Sequence, residues 1–79
     1  SNFTFGPNPI RNGQVLNITA SSIINDIEIV DITGKQIELT NLELGNNILQ
    51  IETTDFVTGL YIVNIVTDNG LESRKLIVE

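Results

Sequence analysis

The chain has 79 residues, with ten acidic and four basic side chains, a net charge of −6, and no His, Cys, Met or Trp. At that length it reads as one small domain, since a domain commonly holds on the order of 150 residues. The missing His and Cys exclude thiolate nucleophiles, imidazole bases and ordinary zinc or iron–sulfur sites, and the negative charge argues against nucleic acid and anionic membranes as partners.

Apolar residues number 32, among them 13 Ile, 8 Leu and 6 Val, and 27 residues are β-branched. β-branched side chains fit a pleated sheet better than a helix, so the composition predicts an all-β fold. No disulfide can staple it, and chain entropy of roughly 1.5 kcal/mol per residue leaves a domain this small only a few kcal/mol of margin. The absence of cysteine leaves the compartment open. No apolar run approaches the roughly 18 residues that span a bilayer, so no membrane insertion is expected. No signal-peptide pattern opens the chain. Ser1-Asn2 reads as a protease scar, and the whole as a fragment cut from a longer protein.

Turn residues recur at Gly6-Pro7-Asn8-Pro9, Asn12-Gly13, Thr33-Gly34, Gly45-Asn46-Asn47, Thr58-Gly59 and Asn69-Gly70. Between them the pattern predicts seven short strands: Phe3–Phe5, Gln14–Ile18, Asp26–Ile32, Lys35–Thr40, Ile48–Glu52, Leu60–Thr67 and Leu71–Val78. Short strands spaced by turns are the mark of a sandwich or barrel. Alternation places Ile27 with Ile29, and Ile37 with Leu39, on shared faces. Thr53–Val57 has room for one turn capped by Thr54 or Asp55, and nothing longer.

Two hairpin turns are expected. In the stretch Asp31 to Lys35, Gly34 supplies positive φ and the Asp31 carboxylate bonds the turn backbone; Asp68-Asn69-Gly70 reads as an Asn-Gly type I′ turn. Turn chemistry accounts for both loops without calcium, and no EF-hand spacing is present. Tyr61, just inside a strand after Gly59, resembles the tyrosine corner of Greek-key sandwiches, or is simply a core aromatic with a satisfied hydroxyl. Phe56 reads as a plug beneath that connection.

No enzyme is expected. Carboxylates are the only catalytic candidates, and they scatter along strands and turns where a solvated face explains them. The four serines have neither a histidine nor a Ser-x-x-Lys partner. The glycines stand singly, so no phosphate cradle forms. No cofactor or metal is expected. Asn2-Phe3-Thr4 and Asn17-Ile18-Thr19 match the glycosylation sequon, a pattern common by chance in an Asn- and Thr-rich chain. Arg74 and Lys75 make the last strand locally basic, and a short apolar terminal strand suits an edge that another protein, or a second copy, reads by pairing. A strand that merely completes the sheet, with its cations guarding the exposed side, explains the same residues.

Four motifs stand in order: Pro7-Asn8-Pro9 with Asn12-Gly13; Ile27-x-Ile29-Val30-Asp31-x-x-Gly34-Lys35; Gly59-Leu60-Tyr61-Ile62-Val63; and Asn69-Gly70 followed by Lys75-Leu76-Ile77-Val78. From about Phe3 to Glu79 this resembles the type A C-terminal sorting domain of proteins exported by the type IX secretion system of Bacteroidetes. The resemblance implies a seven-stranded immunoglobulin-like β-sandwich with Greek-key connections. It implies that the domain follows a cargo domain and takes it through the periplasm and across the outer membrane, to the cell surface or the medium. The implied partners are the type IX translocon, its outer-membrane shuttle protein, and a sortase-like cysteine peptidase that removes the domain. Carried onto this chain, the motif residues are Pro7, Asn8, Pro9, Asp31, Gly34, Lys35, Gly59, Tyr61, Arg74, Lys75, Leu76, Ile77 and Val78. The hairpin and Gly-x-Tyr positions are expected to be structural, the entrance and terminal strand to be recognised. Two departures stand at the terminus: Glu79 occupies a place where a basic residue is frequent, and Arg74-Lys75 replaces a lysine pair. Two other classes compete. A carbohydrate-binding or adhesion module needs exposed aromatics for stacking, and a plain spacer predicts that the last five residues are dispensable for export.

Overall fold

The computed structural model describes residues 3–40 and 42–79. The Ser1-Asn2 scar and the Asn2 sequon lie outside them. Six strands form: β1 (Thr4–Gly6), β2 (Val15–Thr19), β3 (Ile24–Asp31), β4 (Ile48–Glu52), β5 (Gly59–Thr67) and β6 (Gly70–Val78). They make two three-stranded antiparallel sheets, ordered β1-β2-β4 and β3-β5-β6.

Successive side chains of a strand point to opposite faces, and burial follows that two-residue period. Leu16 and Ile18 of β2 face inward opposite Ile51 and Leu49 of β4. From the other sheet come Ile27 and Ile29, then Tyr61, Val63 and Ile65, then Leu76 and Val78. These side chains form one buried cluster joined by Ile10, Ala20, Ile24 and Phe56. Each fully buried Leu or Ile contributes roughly 1.5–3 kcal/mol through lost contact with water. The all-β expectation holds, and described residues contain no helix.

The seventh strand does not form, and the correction falls on Lys35–Thr40. The Asp31–Lys35 turn closes as expected, with Gly34 N–H donating to Asp31 C=O at 3.0 Å and Asp31 N–H to Lys35 C=O at 2.9 Å. Gly34 sits at φ +88°, where a side chain would be strained. The returning chain then makes one bridge, Gln36 to Val30, and Ile37 N–H donates to Ile29 C=O at 2.7 Å. It leaves the β3 edge there, because it must reach β4 in the opposite sheet. Among the described residues, it meets β3 again only at Ile24, whose C=O accepts from Gly45 N–H at 3.1 Å and whose N–H donates to Asn46 C=O at 2.8 Å. Ile37, Leu39 and Leu42 pack their side chains against the core, half-buried.

Smaller shifts have local causes. β3 begins at Ile24, two residues before its expected start, through a register irregularity between Ile24 and Asp26. The β5–β6 turn has Asp68 and Asn69 at its centre, since Thr67 pairs with Gly70. Gly70 thus belongs to the ladder rather than to an Asn-Gly turn. The Thr67 hydroxyl fastens this loop, donating to Gly70 C=O at 3.2 Å and accepting from Asn69 N–H at 3.1 Å. After β4, Phe56 N–H donates to Thr53 C=O at 3.0 Å, the single turn expected there.

Candidate recognition surface

The entrance and terminal motifs, far apart in sequence, meet at one sheet edge. Ile10 runs parallel to the end of β6: its N–H donates to Ile77 C=O at 2.8 Å, and its C=O accepts from Glu79 N–H at 2.8 Å. Asn12 N–H continues the ladder to Glu79 C=O at 3.3 Å. One rung earlier, Pro7 and Pro9 flank Asn8, and both prolines follow cis peptide bonds. The side-chain amide of Asn8 makes the two bonds that a backbone unit would make there. Its Nδ2 donates to Lys75 C=O at 2.7 Å, and its Oδ1 accepts from Ile77 N–H at 3.0 Å.

Asn8→Ala is expected to lower stability by about 1 kcal/mol, since the exposed partners regain water, or about 4–8 °C in Tm for a domain of this size. Thermal unfolding and hydrogen exchange at the Ile77 amide measure it; an unchanged Ile77 exchange rate would contradict the clasp.

Asn12 does comparable work at the next turn. Its Nδ2 donates to the carbonyls of Thr53 at 3.0 Å, Thr54 at 3.1 Å and Phe56 at 2.6 Å, tying the β4–β5 connection to the chain entrance. An Asn-Gly pair reads as a turn in sequence, and nothing local signals this reach.

Strand alternation separates the terminal residues by face. Leu76 and Val78 are buried at 0% and 1% exposure. Arg74 shares their side of the strand and covers the Phe3 ring at 4.4 Å from its centroid, with Glu72 at 3.3 Å. Lys75 and Ile77 point the other way, into solvent, paired with Ile62 and Leu60 of β5. Arg74 and Lys75, pooled as one basic end in the sequence, therefore face opposite environments. The outward face is crossed by a polar ladder in which Ser73 Oγ donates to Asn64 Oδ1 at 2.6 Å and Asn64 Nδ2 to Glu28 Oε1 at 3.4 Å. Leu60, Ile62, Lys75 and Ile77 lie together on one side of it.

The hairpin and Gly-x-Tyr positions are held by internal bonds. Asp31 Oδ1 accepts from the N–H groups of Thr33 at 2.9 Å and Lys35 at 3.0 Å, and from the Thr33 hydroxyl. The Thr33 hydroxyl bond is the main cause holding the Asp31 carboxyl below its usual range; partial desolvation opposes it, while the Lys35 and Thr33 amides and the Lys35 charge add to it. A lowered folded-state pKa means this contribution is present above the ordinary value of 3.8 and is lost as pH falls through the folded value. In an acid titration followed by NMR, the Thr33 and Lys35 amides are expected to move together with a midpoint below 3.8; a midpoint at or above it would contradict the turn's bonding. Tyr61 donates its hydroxyl to Val57 C=O at 2.6 Å, four residues upstream, with its ring 5.2 Å from that of Phe56. Burial, then the Asp31 charge, raises the Tyr61 pKa, and the bond to Val57 opposes them. Of the four aromatic residues, Phe56 and Tyr61 are buried in the core, while Phe3 and Phe5 are half-buried with ring centroids 6.5 Å apart.

Against known protein families, residues 5–79 match the model of the secretion system C-terminal sorting domain. The chain belongs to this family, that of the type IX secretion C-terminal sorting domains. No curated protein matches it. A sorting domain of this kind is an export signal rather than an enzyme, and acts with the secretion machinery to carry protein across the outer membrane. The match covers all four motifs on which the resemblance rested.

Proposed function

We propose that this sorting domain is read by the outer-membrane shuttle protein of the type IX translocon through the solvent face at the end of β6. Lys75 and Ile77 supply the contact, with Leu60 and Ile62 beside them, and Pro7, Asn8 and Pro9 form its rim. The observation that carries this reading is the split of the terminal segment: Lys75 and Ile77 are exposed, whereas Leu76 and Val78 are buried. A partner reads the first two on the folded domain; the second two act by holding the strand in place. Asp31, Gly34, Lys35, Gly59 and Tyr61 shape the scaffold, in an immunoglobulin-like arrangement supported by the corner bond of Tyr61. A sortase-like cysteine peptidase of the export machinery then removes the domain, and the cargo is released or attached to the surface.

The test is the mass of a periplasmic reporter carrying this domain, recovered from a type IX-competent host. Extracellular reporter lacking residues 5–79 is the expected product. Reporter exported with the domain intact would overturn the processing step, and reporter confined to the periplasm would overturn the whole reading.

A further inference from the structure

The two sheets have four outer edges, and they are not equally protected. The end of β6 is occupied by Asn8, Ile10 and Asn12, the end of β3 by Gln36 and Ile37, and β1 has only three residues. β4 pairs with β2 on one side alone. The bond from Ala20 N–H to Asn47 C=O at 2.8 Å fixes the phase of that pairing. Antiparallel ladders alternate, so Leu49 and Ile51 direct their peptide groups to β2, while Ile48, Gln50 and Glu52 direct theirs outward. Among the described residues no backbone group answers these three.

This edge opens into a cleft of about 600 Å³ between β4 and the segment that fails to complete a seventh strand. Ile37, Leu39 and Phe56 give it apolar lining. Its charged residues are Glu38, Glu43, Glu52 and Asp55, and none of the four basic residues of the chain lines it. Edge strands are commonly guarded by lysine, proline or a bulge. β4, Ile-Leu-Gln-Ile-Glu, carries none of these.

We propose that the β4 edge binds an extended, cationic peptide segment of a partner protein by strand addition. A strand of about five residues, spanning about 17 Å, would bond Ile48, Gln50 and Glu52 through its backbone. Alternate side chains would meet Ile37, Leu39 and Phe56, and its Lys or Arg residues would answer the surrounding carboxylates. A second copy of this chain fits poorly, because joining two β4 edges brings together two clefts whose charged residues are all acidic. The surface is separate from the Lys75–Ile77 face and does not depend on how export is recognised.

The probe is acetyl-Lys-Ile-Lys-Val-Lys-amide, titrated into the isotope-labelled protein and followed by NMR and amide hydrogen exchange. The Ile48, Gln50 and Glu52 amides are expected to gain protection, and the charge-reversed peptide acetyl-Glu-Ile-Glu-Val-Glu-amide to leave them unchanged. Gln50→Pro deletes one outward N–H while sparing the β2 ladder, and should weaken binding about tenfold or more. Glu38→Lys with Glu52→Lys should weaken it comparably without touching the backbone, and decides the matter should the proline variant fail to fold. The proposal is overturned by absence of binding at millimolar peptide, by equal binding of both peptides, or by protection appearing away from β4.

Discussion

Replacing Lys75 with Glu and Ile77 with Ser is expected to abolish export of an attached reporter while leaving the sorting domain folded. Both side chains stand on the solvent face of β6, and neither contributes to the buried cluster. Surface substitutions of this kind usually change stability by within about 0.5 kcal/mol. The backbone groups at these two positions, which bond Asn8 and Ile10, remain in place. Circular dichroism and urea unfolding of the purified variant should therefore match the parent, while the secreted fraction collapses. Normal export of the folded variant would remove Lys75 and Ile77 from recognition.

Leu76→Ala should have the opposite signature. Leu76 is 0% exposed and sits between those two residues, opposite Tyr61 on β5. Truncating a buried Leu to Ala costs about 2–5 kcal/mol, through lost burial and the cavity left behind. A domain of this length has little more than that in reserve. Urea unfolding is expected to show either a much lower midpoint or no folded baseline at all, and export should fail with it. The two faces of one motif thus separate cleanly: Lys75 with Ile77 loses export with the fold kept, and Leu76 loses export through the fold. A Leu76→Ala domain as stable as the parent would contradict the core described here.

These contrasts show how far the sequence could be read. Strands that are short apolar runs bounded by turn residues, such as Ile48–Glu52, Gly59–Thr67 and Gly70–Val78, were legible to within a residue, because Gly45-Asn46-Asn47, Thr58-Gly59 and Asn69-Gly70 punctuate them. The Asp31–Lys35 turn and the satisfied hydroxyl of the buried Tyr61 were legible because their chemistry lies within four residues. Lys35–Thr40 misled because Ile37 and Leu39 alternate like a strand. Alternation reports which side chains are buried but not whether a backbone partner is in reach, and here the path to the opposite sheet takes the chain away after Ile37. The Asn8 clasp joins residues 67 and 69 positions apart, and only the topology brings them together. That Arg74 and Lys75 occupy opposite faces was already implied by the strand period, and was hidden by counting both as one basic patch.

The most direct test of the sorting function is a fluorescent protein placed between a signal peptide and residues 1–79, expressed in a type IX-competent host and in the same host lacking the translocon. Fluorescence outside the competent cells alone, with periplasmic retention in the other strain, is the predicted result. Retention in both strains, or export from both, would contradict it.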